Sequence, residues 1–249
     1  MKMGTAILAS QAELDYELSK VDSLVVTRGI LRQLQLEAHL QESIMECIMK
    51  LFTIRINRIC ESHKEVNEAH DNYQPHKSSI FMPPSAFQEL QTDLKPREEI
   101  VELYFTNRGQ QINIDSIDKI YFICKAHDSE HVWILYVIDI ELRAIRYLDV
   151  RRSDNDAVST ALTDYIAQKQ LVIIEFLRVL IPEYLGDWSC GLLSPYYFQP
   201  MTNDYDSGLY IAAVIYFICN HVPLFFTPAS IVRLRLNMAY WLLVEELPT

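Results

Sequence analysis

Val132–Asp139 (VWILYVID) and Ala144–Asp149 (AIRYLD) are two closely spaced runs rich in β-branched and aromatic residues, the composition of strands. Ile140–Arg143 between them has a length that suits an antiparallel hairpin. Lys119–Cys124 (KIYFIC) is a third run of the same kind just upstream. The β part of the chain therefore lies in its middle.

Working outward, both flanks are helical. On the N-terminal side Leu34, Leu36, Leu40, Ile44, Ile48, Leu51 and Phe52 recur mostly at helical spacing. Glu61–Ser79 then turns polar, with His63, His70, Pro75 and His76, and reads as an exposed loop. A short strand around Ile80–Met82 and a helix opening at Pro84-Ser85, carrying Phe87 and Leu90, complete that side. On the C-terminal side Ser153 and Asp156 have the spacing of a capping box for a long helix that ends before Pro182. Trp188–Gln199, which contains Pro195, holds one irregular strand. Asp206-Ser207-Gly208 opens an almost wholly apolar helix, Leu209–Cys219, and Thr227-Pro228 begins the last one as N-cap and first helical residue. Helices, then sheet, then helices define an α+β protein.

Composition narrows the function. The 249 residues suit one large domain, and with half of them hydrophobic a sizeable core is expected. A net charge of -11 without a basic stripe argues against nucleic acid and suits a basic protein partner. The five cysteines form no close pairs and read as free thiols in a reducing compartment. Leu171–Ile181 and Leu209–Cys219 are the most apolar segments, and both fall short of the ~20 residues of a membrane span. Met1–Ser10 lacks a secretory pattern. His63, His70 and His76 have no metal-ligand spacing with cysteine or acidic partners, so no metal or other cofactor is expected.

The segment with most chemical content is Gln199–Leu209, QPMTNDYDSGL. A small nucleophile followed by glycine at the mouth of a buried helix meets free N–H groups and positive partial charge, which suit a thiolate or an oxyanion. The same tripeptide is also an ordinary helix cap. A second pattern runs from His131 and Trp133 to Asp149, eighteen positions after the histidine and at the end of the next strand. Antiparallel pairing can set an imidazole beside that carboxylate, as base and orienter of a triad; the plainer alternative is a polar strand edge and a turn.

Together, W-I-L-Y-V-I-D, I-R-Y-L-D and N-D-Y-D-S-G-L-Y resemble the ubiquitin-like-protein-specific cysteine proteases, which include the sentrin/SUMO proteases of the adenain-like clan. That family carries histidine beside tryptophan at a strand start, aspartate ending the next strand, and Asn-x-x-Asp-Cys-Gly opening the central helix. His39–Ile44 stands where the family has Trp-Leu-Asn-Asp, Ser79-Ile80-Phe81 precedes Phe87 and Leu90 as in the family's strand and helix, and Ile231–Leu243, with Arg233, resembles the closing helix. The likeness covers roughly Leu34 to Leu243, so 1–29 reads as an N-terminal extension and 30–249 as a protease-like domain of papain-like architecture.

Four departures stand out. Ser207 replaces the nucleophilic cysteine, and a serine there stays protonated near neutral pH. Val132 intervenes between His131 and Trp133, so His131 needs a β-bulge or a shifted strand start to face the site, with His127 as a weaker candidate. The family's oxyanion glutamine falls on Met201, leaving Gln199 if the loop bows and Asn203 as fallback. His39 replaces one of the two tryptophans that clamp a Gly-Gly tail.

The resemblance implies a thiol isopeptidase that removes ubiquitin or a SUMO-type modifier. Its catalytic set is Ser207 in the cysteine's place, His131, Asp149 and Gln199, with Trp133, His39, Asn203 and Asp206 binding the substrate tail. The intact Asp206 and Gly208 favour a disarmed enzyme over a natural pseudo-enzyme. The rivals are an effector-type acetyltransferase using the same triad, and a non-catalytic module that grips a ubiquitin-like protein. The Glu61–Ser79 loop and the first helices would set the choice of modifier, and Arg151-Arg152 reads as a solvated turn, with contact to an acidic partner face as the alternative. The expected setting is the cytoplasm or nucleus, and that of an effector inside a host cell fits equally.

Overall fold

The computed structural model describes residues 15, 17–35, 37–67, 77–107, 110–126, 128–151, 160–182, 186–193, 201, 203–220 and 227–244. Its centre is a five-stranded mixed sheet of β3 (Ser78–Met82), β6 (Ile117–Ala126), β7 (Ser129–Asp139), β8 (Ala144–Leu148) and β9 (Ser189–Leu192), adjacent in that order. The two inner pairings, β6–β7 and β7–β8, are antiparallel, and the edge strands β3 and β9 run parallel to their neighbours. The expected hairpin is present: Asp139 pairs with Ala144 across the four-residue turn, and the Asp139 carboxylate accepts the Leu142 N–H at 2.8 Å.

Why VWILYVI is apolar at every position follows from its neighbours. Trp133, Leu135 and Val137 of β7 face one core, while Val132, Ile134, Tyr136 and Ile138 face the other. A strand buried on both faces loses the polar alternation of a half-exposed one. The first core is filled by α2 (Glu42–Asn67), α6 (Ser207–Cys219) and α7 (Pro228–Val244). The second is filled by α3 (Pro84–Thr92), α4 (Arg97–Tyr104) and α5 (Thr160–Leu180). The α+β class expected from the sequence is the one found. Before α2 lie a hairpin, β1 (Glu17–Val21) and β2 (Leu24–Thr27), and a short helix, α1 (Arg28–Arg32). Two further two-residue strands, β4 (Thr106–Asn107) and β5 (Gln110–Gln111), pair with each other.

Several local readings change. Glu61–Asn67 is helical, the last turns of α2, where the sequence suggests a loop. Residues of good helix propensity can extend a helix whatever their polarity, so a polar run is not by itself a break. Leu34 and Leu40, assigned to a helical pattern, are buried on an irregular connection between α1 and α2, with Glu37 at φ 63°. The described part of 1–29 is built into the first core: Val21 and Val26 are fully buried, and Ser19 Oγ donates to the Leu242 carbonyl at 2.7 Å. The Ser153/Asp156 capping box, His70, His76, His127, Arg152 and Gln199 lie outside the described residues. Among the described residues, no helix is long and apolar enough to cross a membrane. Cys47, Cys124, Cys190 and Cys219 are free thiols.

Candidate functional site

The site is organised by the start of α6. Ser207 through Ile215 are all buried, so this helix runs through the first core with its N-terminus meeting the first half of β7 at Trp133. Its second residue, glycine, is closely packed. A Cβ on Gly208 would lie 2.9 Å from both Leu40 Cδ1 and Met45 Sδ, and 3.1 Å from Trp133 Cδ1.

The turn before the helix is framed by two of the expected substrate-binding residues. Asn203 Oδ1 accepts the Asp206 N–H at 3.1 Å. Asp206 does not cap α6 with its side chain; Oδ1 instead receives Nε and Nη2 of Arg235 at 2.8 and 2.7 Å. Arg235, 1% exposed, also donates to the carbonyls of Gln33, Gln35, Ala38 and Tyr205. One guanidinium thus ties α7, the approach to α6 and the irregular 33–38 connection together. Sequence reasoning singled out Arg233, which is exposed, and missed Arg235. A signal existed: Arg235 falls on the buried stripe Ile231, Met238, Ala239, Leu242, where a charge must have a partner.

Ser207 Oγ makes two hydrogen bonds. It accepts the backbone N–H of Trp133 at 3.1 Å and donates to the Asp204 carbonyl at 3.0 Å. The Trp133 N–H is free for it because the β7–β8 ladder stops at Leu135–Leu148. The Trp133 indole Nε1–H reaches the Leu40 carbonyl at 2.7 Å, and the ring is buried with the ammonium of Lys125 3.3 Å from its centroid.

The bulge required by Val132 is present. Lys125 pairs with Trp133 but Ala126 pairs with Ser129, leaving Glu130, His131 and Val132 without partners in β6. His131 is exposed there and stacks on His39, ring centroids 4.5 Å apart, while Val132 is buried in the second core. Burial, and then the neighbouring His131, push the His39 pKa below its ordinary value.

Asp149, the expected orienter, is buried at the end of β8. Oδ1 accepts the backbone N–H and Nε of Arg151, both at 3.0 Å, and Oδ2 accepts Nη2 at 2.6 Å. Arg151 reaches on to Asp128 at 2.9 Å. The two carboxylates raise its pKa further, against its partial burial. Among the described residues no imidazole is hydrogen-bonded to Asp149 or to Ser207. The structure thus gathers Ser207, Trp133, Asn203 and Asp206 around one helix start and pairs His39 with His131. It gives Asp149 an arginine. Met201 is buried, its N–H on the Val150 carbonyl at 3.0 Å.

No family model and no curated protein matches the sequence. Solved structures do. The C-terminal Ulp1 protease domain, determined in complex with Smt3, the yeast ortholog of SUMO, is 20% identical, with a TM-score of 0.69 over 98% of this chain and 93% of that one. The Ulp1-like SUMO protease catalytic domain of Chaetomium thermophilum is 16% identical, with a TM-score of 0.72 over 100% and 89%. The fold is that of the Ulp1 SUMO proteases. A further de-sumoylating protease agrees at 13% identity and a TM-score of 0.54, over 94% and 92% of the two chains. This is the fold that the sequence resemblance implies. Ulp1 itself has a catalytic cysteine, known in oxidised forms.

Proposed function

We propose that this chain is a non-catalytic protein-binding module, an Ulp1 fold that grips a ubiquitin-like modifier without cutting it. The observation that carries this reading is the Ser207 hydroxyl, whose proton points at the Asp204 carbonyl while its lone pair takes the Trp133 N–H. A nucleophile needs a base on its proton, and general-base help alone contributes about 10²–10⁴-fold. The supporting residues agree. Arg151 occupies both oxygens of Asp149, which an orienter would offer to an imidazole. Where the resemblance puts histidine, directly before Trp133, the chain has Val132, packed into the opposite core. The modifier as partner rests on the Ulp1 fold, one member of which holds Smt3.

One observation favours the disarmed thiol isopeptidase as a second reading: Asn203, Asp206 and Gly208 still frame the helix start. Ser207→Cys separates the two. The test uses ubiquitin and SUMO, each fused at its C-terminal glycine to a fluorescent leaving group, together with calorimetric titration of the intact modifiers. The binding-module reading expects binding by both forms of the protein and no turnover by either. Turnover by Ser207→Cys that disappears on adding His131→Ala would restore the isopeptidase. Absence of both binding and turnover would remove the modifier from the account, and acetyl transfer from acetyl-coenzyme A would be the next assay.

A further inference from the structure

Lys125 is a side chain that neither the fold nor the triad pattern uses. It leaves β6 opposite Trp133, lays its ammonium on the indole, and lines a pocket of about 740 Å³ whose walls include Arg32, His39, Glu42, Glu130 and His131. Among the described residues its Nζ has no ion pair and no hydrogen bond. Burial pushes the ammonium's pKa down to about 8, with Glu42 pulling the other way; the indole face also favours the cation. A partly desolvated ammonium without an anion is unfavourable, and an anion that enters recovers the lost solvation.

The same wall holds a second unsatisfied polar atom. Among the described residues, His39 Nδ1 is buried without a hydrogen-bond partner. Burial keeps this imidazole neutral to lower pH than usual, and a neutral imidazole can carry an N–H at that nitrogen. An ammonium on an aromatic face and, in the same lining, an imidazole nitrogen without an acceptor suit a small planar anion. Glu37, Glu42 and Glu130 also line the pocket, so it has no surplus positive charge for a phosphate chain or nucleic acid. Set against Arg32 and Lys125, these three carboxylates leave the lining one negative charge in excess, so an anion gains only where it meets the Lys125 ammonium directly.

We infer that Lys125 and His39 bind the free C-terminal carboxylate of the partner's tail, so that the module recognises released modifier in preference to modifier joined to a target. The inference rests on the binding-module reading above. In a conjugate that carboxylate has become a neutral amide, which offers the ammonium no charge. Loss of one charge-assisted contact weakens binding by about tenfold or more.

The experiment titrates the full chain with ubiquitin and with SUMO, each ending either in its native glycine carboxylate or in a C-terminal amide. Free diglycine serves as the small-carboxylate arm. The acid form should bind about tenfold more tightly than the amide. Lys125→Gln should bring the acid to the level of the amide, and Lys125→Arg should keep a preference for the acid; thermal melts check that both variants fold. Equal Kd values for acid and amide in the parent protein would overturn the carboxylate assignment while leaving the binding module standing. No binding of any modifier form would overturn the module reading, and this inference with it. Diglycine binding as tightly as the whole modifier would overturn the tail and make this a small-carboxylate site.

Discussion

Replacing Arg235 with methionine keeps most of the apolar stem and deletes the guanidinium. That group makes two contacts to Asp206 Oδ1, at 2.8 and 2.7 Å, and reaches four carbonyls, the shortest at 2.7 Å from Tyr205 and 2.8 Å from Gln35. Its side chain is 1% exposed and that of Asp206 13%, so water cannot readily replace it. Removing one partner of a buried pair costs about 3–5 kcal/mol. Asp206 keeps a small solvated edge, which places the expected loss near the lower end, about 3 kcal/mol, a large part of a typical domain's ~5–15 kcal/mol. Urea unfolding followed by tryptophan fluorescence measures it. Asp206→Asn and the double variant close a thermodynamic cycle, and a coupling of at least about 1 kcal/mol is expected because the second change relieves an unpaired carboxylate. A loss below about 1 kcal/mol, or additive single effects, would refute the argument that this guanidinium holds the approach to α6 in place.

Three further outcomes follow from the same site. Ser207→Ala leaves the buried Trp133 N–H without an acceptor and should cost about 1–3 kcal/mol in the same unfolding assay; no loss would mean that the bond contributes nothing. Gly208→Ala should destabilise by about 1–3 kcal/mol, the ordinary cost of overpacking, because its methyl meets Leu40, Met45 and Trp133; a stabilised variant would show that these side chains swing away freely. Lys125 has a folded pKa of about 8 against the ordinary lysine value of 10.5, so the unfolded chain binds more protons between those values and stability rises with pH across that window. Unfolding midpoints measured from pH 8 to 10 should show that rise in the parent and less of it in Lys125→Met, and parallel profiles would contradict it.

Much of this architecture is legible in the residues because its signals are local. The β7–β8 hairpin is written in two apolar runs and a four-residue turn, and the start of α6 in Asp206-Ser207-Gly208. What escaped depends on distant pairings. Nothing near Asp149 in a triad pattern says that Arg151, two residues on, will turn back and occupy both oxygens. Arg235 was detectable as a charge on an apolar stripe, but its five partner residues lie 29 to 202 positions away. Lys125 reads as an ordinary strand residue until its register opposite Trp133 is known. Helix α2 runs on through Glu61–Asn67 because a polar run with good helix propensity does not by itself end a helix.

The three unpaired residues of β7 give the strand a length tolerance that a continuous ladder lacks. From Lys125–Trp133 onward the register is set by cross-strand contacts, and before the bulge by Ala126–Ser129 alone. Losing or gaining one residue among Glu130, His131 and Val132 would leave both anchors in step, but it would also change which side chain fills the Val132 position in the second core. Deleting Val132 would put a histidine immediately before the tryptophan. A short insertion or deletion at this one point can therefore alter the side chains beside Trp133 while every strand of the sheet keeps its partners.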